Sequence, residues 1–201
     1  MKFVWICAAY LIGSIPFGFL IFRLGGGRDI RDHGSGATGA TNVLRLKGWR
    51  FALPVLIFDV LKAALPVWLA LKVFPDARWV AFAVALMTVL GHCFPLFIGF
   101  RGGKGVSTAL GSYAVLATVP FLISLAVFAG VIAATRYVSL GSLLASLSFP
   151  VIVYLGWKDA GLAGLGLAIF AVIALRHAGN IRRLLRGRER RLGQKAVLEK
   201  G

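Results

Sequence analysis

Acidic residues are scarce in this sequence. Asp and Glu together number 7 in 201 residues, against 23 Lys and Arg and 3 His. The segments that carry most of the basic residues contain few acidic ones, namely Asp29, Asp32, Glu189 and, near the end of the tail, Glu199. We therefore expect neither a pair of catalytic carboxylates nor a cage of hard oxygen ligands there. No histidine has a cysteine or glutamate at ligand spacing, so the sequence indicates no metal and no cofactor.

Charged residues of either sign are also few. They make up 15% of the chain, whereas hydrophobic residues make up 59% and the mean hydropathy is +0.85. This composition excludes a soluble globular protein and indicates an integral membrane protein. The net charge of +16 lies in short loops beside apolar segments, and no soluble basic domain is present. We expect membrane lipids and anionic small molecules as partners, and no nucleic acid.

The apolar runs predict an all-α integral membrane protein, a single membrane domain over residues 1–201 with seven transmembrane helices, some of them short. Residues 106–134 would form one helix of about 44 Å, against a hydrocarbon core of about 30 Å. We therefore expect a break close to Pro120. The seven predicted segments are 3–22, 51–71, 79–100, 106–117, 120–134, 138–155 and 160–175.

Two of these segments contain residues that are unusual for a lipid-exposed helix. The first carries GSIPFG at residues 13–18, which predicts a kink at Pro16 and close helix contacts at the small residues. The second carries Asp59 and Lys62 at i, i+3 spacing. We expect these two side chains to pair and to face other helices, with a functional role as the less favoured alternative.

The distribution of positive charge predicts the orientation of the chain. With seven spans, one side carries only four Lys and Arg residues, and the other, glycine-rich side carries the remainder except Lys62. The positive-inside rule then places the N-terminus outside and the C-terminus in the cytoplasm. A basic amphipathic tail from about residue 178 is expected to lie at the membrane surface. The four residues on the outer side are Lys2, Lys72, Arg78 and Lys158.

A lysine-bearing glycine loop is the clearest chemical signal on the predicted cytoplasmic side. Residues 91–108 read GHCFPLFIGFRGGKGVST, with Lys104 just before a predicted helix that begins at Val106. Glycine amides, an ammonium charge and a helix N-terminus together favour phosphate. A nucleotide-binding Walker loop is not indicated, because Ile98 and Gly105 replace the residues that such a loop requires. A plain interhelical turn is the alternative reading.

Other donors on the same side extend this phosphate-binding character to the level of a lipid head group. Charge-assisted hydrogen bonds contribute about 1.5–3 kcal/mol each, so two or three cations are enough for a doubly charged phosphate. His177 is the only plausible protein base, with donation to phosphate as the alternative role. Ser35 is a weaker candidate nucleophile, because no His-Asp pair adjoins it in the sequence.

Five motifs in this order resemble those of the bacterial membrane acyltransferases that use acyl phosphate to acylate glycerol-3-phosphate. The resemblance covers essentially the whole chain. Residues 13–18 are similar to that family's GSIPFG, 34–45 to GSGNxGATNxxR, 91–108 to GHxFPxFxxFxGGKGVxT, 136–142 to RYxSLxS and 176–189 to RHxxNIxRLxxGxE. The sequence departs from the family pattern at Ala37, Ala178 and Gly179, and no role is carried to those positions.

The resemblance implies an enzyme that moves a fatty acyl group from acyl phosphate to the sn-1 hydroxyl of glycerol-3-phosphate. The products would be lysophosphatidic acid and inorganic phosphate, in phospholipid biosynthesis. It further implies a multi-pass protein of the bacterial inner (cytoplasmic) membrane, with its active site facing the cytoplasm, that functions as a monomer. The catalytic residues so implied are Ser35, His177 and Asn180, and the substrate-binding residues are Thr41, Asn42, Arg45, Gly102, Gly103, Lys104 and Ser142.

Two phosphate pockets are expected from this resemblance. Arg45 and Lys104, with the backbone of the Gly102 and Gly103 pair, would hold glycerol-3-phosphate. The acyl phosphate carbonyl and its leaving phosphate would be oriented by Ser35, His177, Asn180 and Ser142. The signature of soluble-type acyltransferases, His followed five residues later by Asp, is absent. The alternatives are a membrane transporter of an organic phosphate, which the lack of two similar halves disfavours, and a scaffold whose basic tail recruits anionic lipid.

Overall fold

The computed structural model describes residues 1–194, and every regular element among these residues is helical. Short 3-10 turns, Ile30–Asp32 and Leu96–Ile98, lie in the loops, and a π-helical turn, Val153–Trp157, extends the eighth helix. The α-helices are α1 Lys2–Gly13, α2 Phe17–Leu24, α3 Ala40–Lys47, α4 Trp49–Val73, α5 Arg78–Cys93, α6 Val106–Leu116, α7 Thr118–Thr135, α8 Val138–Ile152, α9 Ala160–Arg176 and α10 Ala178–Leu185.

The all-α membrane fold predicted from the sequence is confirmed. Five segments are long and apolar enough to cross a membrane: Lys2–Leu24, Trp49–Val73, Arg78–Ile98, Thr118–Thr135 and Val138–Trp157. The α9–α10 pair, bent by 67°, is apolar enough to count as a sixth, and the apolar helix α6 is shorter, with 11 residues. All seven predicted segments are therefore helical, while the number of membrane crossings and the orientation stay predictions.

The first span is interrupted where GSIPFG predicted a kink. Helix α1 ends at Gly13 and α2 begins at Phe17, because Pro16 has no N–H to donate to the preceding turn. Small residues on either side of the break pack directly on other backbones. A Cβ at Gly13 would overlap the backbone of Thr88, and one at Gly18 would overlap the carbonyl of Thr38. The predicted close contacts are confirmed.

The predicted break in the 106–134 run is also confirmed. Helix α6 ends at Leu116 and α7 begins at Thr118, with Ala117 between them in an extended conformation at φ −157°. Pro120 then lies in the first turn of α7, where the missing N–H has no intrahelical partner to lose. Pro120 therefore prevents α6 from continuing and fits without loss of a hydrogen bond into the first turn of α7.

Helices α5 and α9 organise the two ends of the molecule. At one end Arg78, the first residue of α5, forms an ion pair with Asp159, which precedes α9. At the other end His92 of α5 and His177 after α9 line the same cavity. The two helices therefore run in the same direction through the bundle. Their carboxyl ends, together with the amino ends of α6 and α8, form the polar end of the fold.

The tail begins as predicted and then turns back onto the bundle. Helix α10 leaves α9 at 67° and is strongly amphipathic, as expected of a helix at a membrane surface. Beyond it, the backbone of Leu192 exchanges hydrogen bonds with Arg136 at the turn between α7 and α8. The remainder of the predicted tail, residues 195–201, lies outside the described residues.

Candidate active site

A cavity of about 490 Å³ lies at the polar end of the fold, among α3, α4, α6, α7, α8 and the α9–α10 junction. It brings together loops that are far apart in the sequence. Of the predicted site residues, the cavity is lined by Ser35, Thr41, Asn42, Arg45, Lys104, Ser142, His177 and Asn180. The lining does not include Gly102 and Gly103.

Asn42 uses its side chain to hold the serine loop, residues 33–39. Its Oδ1 accepts a hydrogen bond from the backbone N–H of Ser35 at 3.0 Å. Its amide nitrogen donates to the carbonyls of Ala37 at 2.9 Å and His33 at 3.1 Å. The side-chain amide of Asn42 is therefore engaged within the loop, where it fixes the position of Ser35. The predicted direct contact of Asn42 with substrate stays a prediction.

Lys104 extends from the glycine loop into the cavity. Its ammonium group donates to Oδ1 of Asn180 at 2.6 Å. Burial lowers the pKa of Lys104 to about 8, and the neighbouring Arg45 lowers it in the same direction, while Glu189 opposes them. Arg45, on α3, also has its pKa lowered by burial. Two partly desolvated cations therefore face the same space, and an anion placed between them would be bound strongly.

Glu189 is the residue of the site that the sequence reasoning missed. One carboxylate oxygen accepts from Asn180 at 2.6 Å and from Ser139 at 3.0 Å, and the other accepts from Arg183 at 2.8 Å. Burial alone would raise the pKa of Glu189, but these hydrogen bonds outweigh it and hold the pKa below its ordinary value. The carboxylate is thus ionised and fully engaged, and it orients Asn180 toward Lys104.

His177 and Ser142 are each held by a carbonyl one helical turn earlier. Nδ1 of His177 lies 2.8 Å from the carbonyl oxygen of Ile173, which assigns the proton to Nδ1 and leaves Nε2 for another partner. The hydroxyl of Ser142 donates to the carbonyl of Val138 at 2.9 Å. Its lone pairs, rather than its proton, are then available to a ligand.

The Gly102 and Gly103 pair has its backbone groups engaged within the fold. Their amides donate to the carbonyls of Cys93 at 3.3 Å and His92 at 3.0 Å. The predicted phosphate contact through this backbone would require these hydrogen bonds to break, and it stays a prediction. Their carbonyls accept from Arg176, at 3.0 Å each. Arg176, which the sequence reasoning did not select, thus holds the turn that leads to Lys104.

The amino end of α6 is a second source of backbone donors. Val106 and Ser107, in its first turn, both line the cavity. The first amides of a helix have no intrahelical acceptor, and they carry the positive end of the helix dipole. This part of the glycine-loop prediction agrees with the geometry.

An apolar wall continues from the polar part of the cavity. It is formed on α4 by Leu53 and Leu56, on α6 by Leu110 and on α7 by Leu125 and Phe128. Leu53 is 46% exposed on the outer surface of the bundle, where lipid would lie. The cavity therefore joins a cationic end to an apolar side that faces outward.

A helical membrane bundle with a cavity of this kind is suited to binding amphiphilic anions, which have a charged group at one end and an apolar chain at the other. A family model described as glycerol-3-phosphate acyltransferase matches residues 3–187. The glycerol-3-phosphate acyltransferase of Syntrophotalea carbinolica is 43% identical over 189 residues, covering 94% of this chain and 96% of that protein. That of Myxococcus xanthus is 46% identical, covering 90% and 95%. The chain belongs to the glycerol-3-phosphate acyltransferase family.

Two solved structures agree with this assignment. Both are described as PlsY (YgiH), an integral membrane glycerol 3-phosphate acyltransferase. The glycerol 3-phosphate form has a TM-score of 0.91 to this chain at 41% identity, and the lysophosphatidic acid form has a TM-score of 0.88 at 40% identity. Each comparison covers 96% of both chains. The fold and the family predicted from the motifs are therefore confirmed.

Proposed function

We propose that this protein transfers a fatty acyl group from acyl phosphate to the sn-1 hydroxyl of glycerol-3-phosphate, producing lysophosphatidic acid and inorganic phosphate. The single observation that carries the proposal is the cavity that joins Arg45 and Lys104 to an apolar, outward-facing wall. Both substrates carry phosphate, and one of them carries an acyl chain. Family membership and the forms of the two solved relatives support glycerol-3-phosphate as the acceptor and lysophosphatidic acid as the product.

The cations are assigned to the acceptor substrate. Lys104 and Arg45, with the amino end of α6, bind the phosphate of glycerol-3-phosphate, since charge-assisted bonds to phosphate are the strongest available there. Thr41, in the first turn of α3, adds a hydroxyl beside Arg45. Ser142 accepts a hydrogen bond from a glycerol hydroxyl, because its own proton is already donated to Val138.

The acyl phosphate is assigned to the remaining polar side chains and to the apolar wall. Ser35, His177 and Asn180 orient its carbonyl and its phosphate, while the acyl chain lies against Leu110 and Phe128. Bringing two substrates into one geometry removes much of the barrier, by about 7–11 kcal/mol in well-aligned reactions. The acyl anhydride is already activated, so positioning is the main task of the protein.

The reaction then proceeds by direct attack. The sn-1 oxygen forms an ester bond with the carbonyl carbon, the bond from that carbon to the phosphate oxygen breaks, and inorganic phosphate leaves. The hydroxyl proton passes to an oxygen of a substrate phosphate, so no protein base is required. His177 acts through Nε2 as a hydrogen-bonding partner of the substrates.

The proposal includes the predicted placement in a bacterial inner membrane, with seven crossings and the cavity facing the cytoplasm. Helix α6 supports the seventh crossing despite its 11 residues, because Val106 lines the site cavity and Leu116 lines a second cavity beside Arg78 at the far end of α5. The protein functions as a monomer.

Topology can be tested with single cysteines in a Cys7→Ser background. The Lys158→Cys variant is expected to react with an impermeant maleimide added to intact cells. The Arg188→Cys variant should react only after permeabilisation. Both positions are exposed. The reverse pattern would contradict the proposed orientation.

The donor is tested by supplying acyl phosphate, acyl-CoA or acyl carrier protein in turn to purified protein, with labelled glycerol-3-phosphate. Lysophosphatidic acid and phosphate should form with acyl phosphate alone. Product from acyl-CoA without acyl phosphate would contradict the proposed donor. Proteoliposomes that accumulate unmodified glycerol-3-phosphate, and make no lipid, would instead identify a transporter.

A further inference from the structure

A buried charged cluster lies directly behind the glycine turn and has no role in the reaction proposed above. It consists of Asp59 and Lys62 on α4 and His92 in the last turn of α5. Nζ of Lys62 is 2.8 Å from Oδ1 of Asp59, and Nδ1 of His92 is 3.5 Å from the same oxygen. The three side chains are at most 5% exposed. The ion pair predicted from the sequence is therefore confirmed, and it includes a histidine.

Charges inside a membrane bundle are costly, so a cluster of this kind calls for a specific use. A single ion pair would be enough to cross-link two helices. Here α4 provides both charges itself, so the pair is not needed to join α4 to another helix. What the pair does is bring two further groups, the break in the first span and the His92 ring, to fixed positions around Asp59.

On one side the cluster holds the break between α1 and α2. The ammonium group of Lys62 donates to the carbonyl of Ile15 at 2.9 Å, next to the point where Pro16 interrupts the helical hydrogen bonds. A carbonyl released in this way needs a donor when water is excluded. Three residues further on, Gly18 packs against the backbone of Thr38. The serine loop therefore rests on a segment that Lys62 anchors.

On the other side the cluster holds the glycine turn. The imidazole of His92 lies so close to Gly103 that a Cβ at that position would overlap the ring. The backbone N–H of Gly103 also donates to the carbonyl of His92 at 3.0 Å. Lys104 follows immediately, so its starting point depends on the ring and carbonyl of His92. Nδ1 of that ring lies 3.5 Å from Oδ1 of Asp59, so the negative charge of Asp59 favours the orientation in which Nδ1 faces it.

We propose that Asp59, Lys62 and His92 are positioning residues that set the separation between the serine loop and Lys104, and so determine how well the acceptor phosphate is bound. This inference rests on the proposed function, since it concerns the binding of glycerol-3-phosphate in the same cavity. Asp59 and Lys62 do not line the cavity and act through other residues, and His92, which borders the cavity, acts through the glycine turn. Misplacement by about 1 Å is enough to cost about 100-fold in rate.

The test is a double-mutant cycle at His92 and Gly103, measured as KM and kcat for glycerol-3-phosphate. Gly103→Ala should raise KM at least about tenfold, because the new Cβ displaces the turn against the ring. His92→Ala should raise KM by a smaller factor with kcat nearly unchanged. The double variant should be no worse than His92→Ala alone, because the overlap is gone.

A purely structural role gives a different result. It would lower kcat through loss of folded enzyme, leave KM unchanged, and make the two substitutions additive. Either additive effects or an unchanged KM would overturn the proposal. The thermal unfolding midpoint, measured in the same detergent, reports the folded fraction of each variant.

The paired substitution Asp59→Asn with Lys62→Gln provides an independent measurement. It removes both charges together, so no unpaired charge is left in the bundle. The proposal predicts a raised KM for glycerol-3-phosphate and, because Lys62 anchors the segment that supports the Ser35 loop, a raised KM for acyl phosphate as well. An unchanged KM for glycerol-3-phosphate would overturn it. Wild-type enzyme is assayed alongside. If the wild type makes no lysophosphatidic acid from acyl phosphate, the proposed function fails. If the wild type is active and the variants keep its KM for glycerol-3-phosphate, only the positioning role fails.

Discussion

The two ends of α5 and α9 each carry a cavity with charged side chains, but the charges are arranged differently. At the far end the cavity is about 250 Å³, and Arg78 is paired with Asp159. Asp159 also caps α9 by accepting from the amide of Leu162 at 2.9 Å. At the site end, Lys104 and Arg45 share a cavity whose carboxylate, Glu189, is already ion-paired with Arg183.

This difference shows what distinguishes a binding site from a structural pair. In the far cavity, Arg78 and Asp159 neutralise each other, and the pair joins the starts of two helices. At the site end, the positive charge exceeds the negative charge and is partly shielded from water. A phosphate can supply the missing negative charge, and that is the basis of the assigned function.

The largest effect should follow from removing a cation at the site end. Lys104→Ala should lower kcat/KM by about 10- to 150-fold, since about 1.5–3 kcal/mol is lost for each charged hydrogen bond to phosphate. Lys158→Ala is the matched control at the far end, where no change in activity is expected. The assay is lysophosphatidic acid formation from acyl phosphate. Equal activity in Lys104→Ala and Lys158→Ala would contradict the claim that the cations at the site end bind substrate and those at the far end do not.

A second, smaller effect concerns the carboxylate of the site. Glu189→Gln keeps the shape but removes the charge that orders Asn180 and Arg183, and we expect kcat/KM to fall about tenfold, as for one lost charged hydrogen bond. Asp32→Asn, an exposed acidic residue near the serine loop, is the matched control. If both substitutions are silent, Glu189 does not orient Asn180 in the working enzyme.

The pH dependence should also reflect the unbalanced charge. The pKa of Lys104 is lowered by burial to about 8, so its positive form is present below that pH and is lost above it. We expect kcat/KM for glycerol-3-phosphate to fall as pH rises through about 8, because this ratio reports the free enzyme. Lys104→Arg should remove that limb, since guanidinium stays protonated. If the wild type and Lys104→Arg lose activity over the same pH range, the loss is due to the titration of another group.

The smallest effects should appear at the far end. Arg78→Ala breaks an ion pair in which Arg78 is half exposed, and such pairs contribute at most about 1 kcal/mol. Asp159→Ala should lower the unfolding midpoint further, because it also removes the cap of α9, which contributes about 1 kcal/mol. Neither should change kcat/KM. A large loss of activity in Arg78→Ala would mean that the two ends are coupled.

Much of the fold followed from local signals in the sequence. Pro16 and Pro120 predicted both breaks correctly because proline acts through its own missing N–H and ring, whatever surrounds it. Lys104 and His177 were predicted to share a site, and the cavity brings them together. Apolar run length predicted the helices, since a hydrocarbon core sets the length of the segment that crosses it.

The sequence was less informative about residues whose hydrogen-bond partners depend on tertiary contacts. Gly102 and Gly103 have the composition of a phosphate loop, but the end of α5 takes their amides. Asn42 was predicted to contact substrate, but its side chain forms hydrogen bonds with the backbone of the serine loop. No site role was predicted for Glu189, because the scarcity of carboxylates argued against carboxylate chemistry. The same scarcity was the available signal, since a lone Glu in a basic segment is placed to pair with the surrounding cations. Hydrogen-bond partners of this kind become known only when the chain is folded.

The most direct measurement is equilibrium binding of labelled glycerol-3-phosphate to the solubilised protein, without acyl donor, so that binding is separated from chemistry. The wild type should bind in a saturable manner, and Lys104→Ala and Arg45→Ala should each weaken binding at least about tenfold. Full affinity in both variants would contradict the assignment of this cavity as the phosphate site.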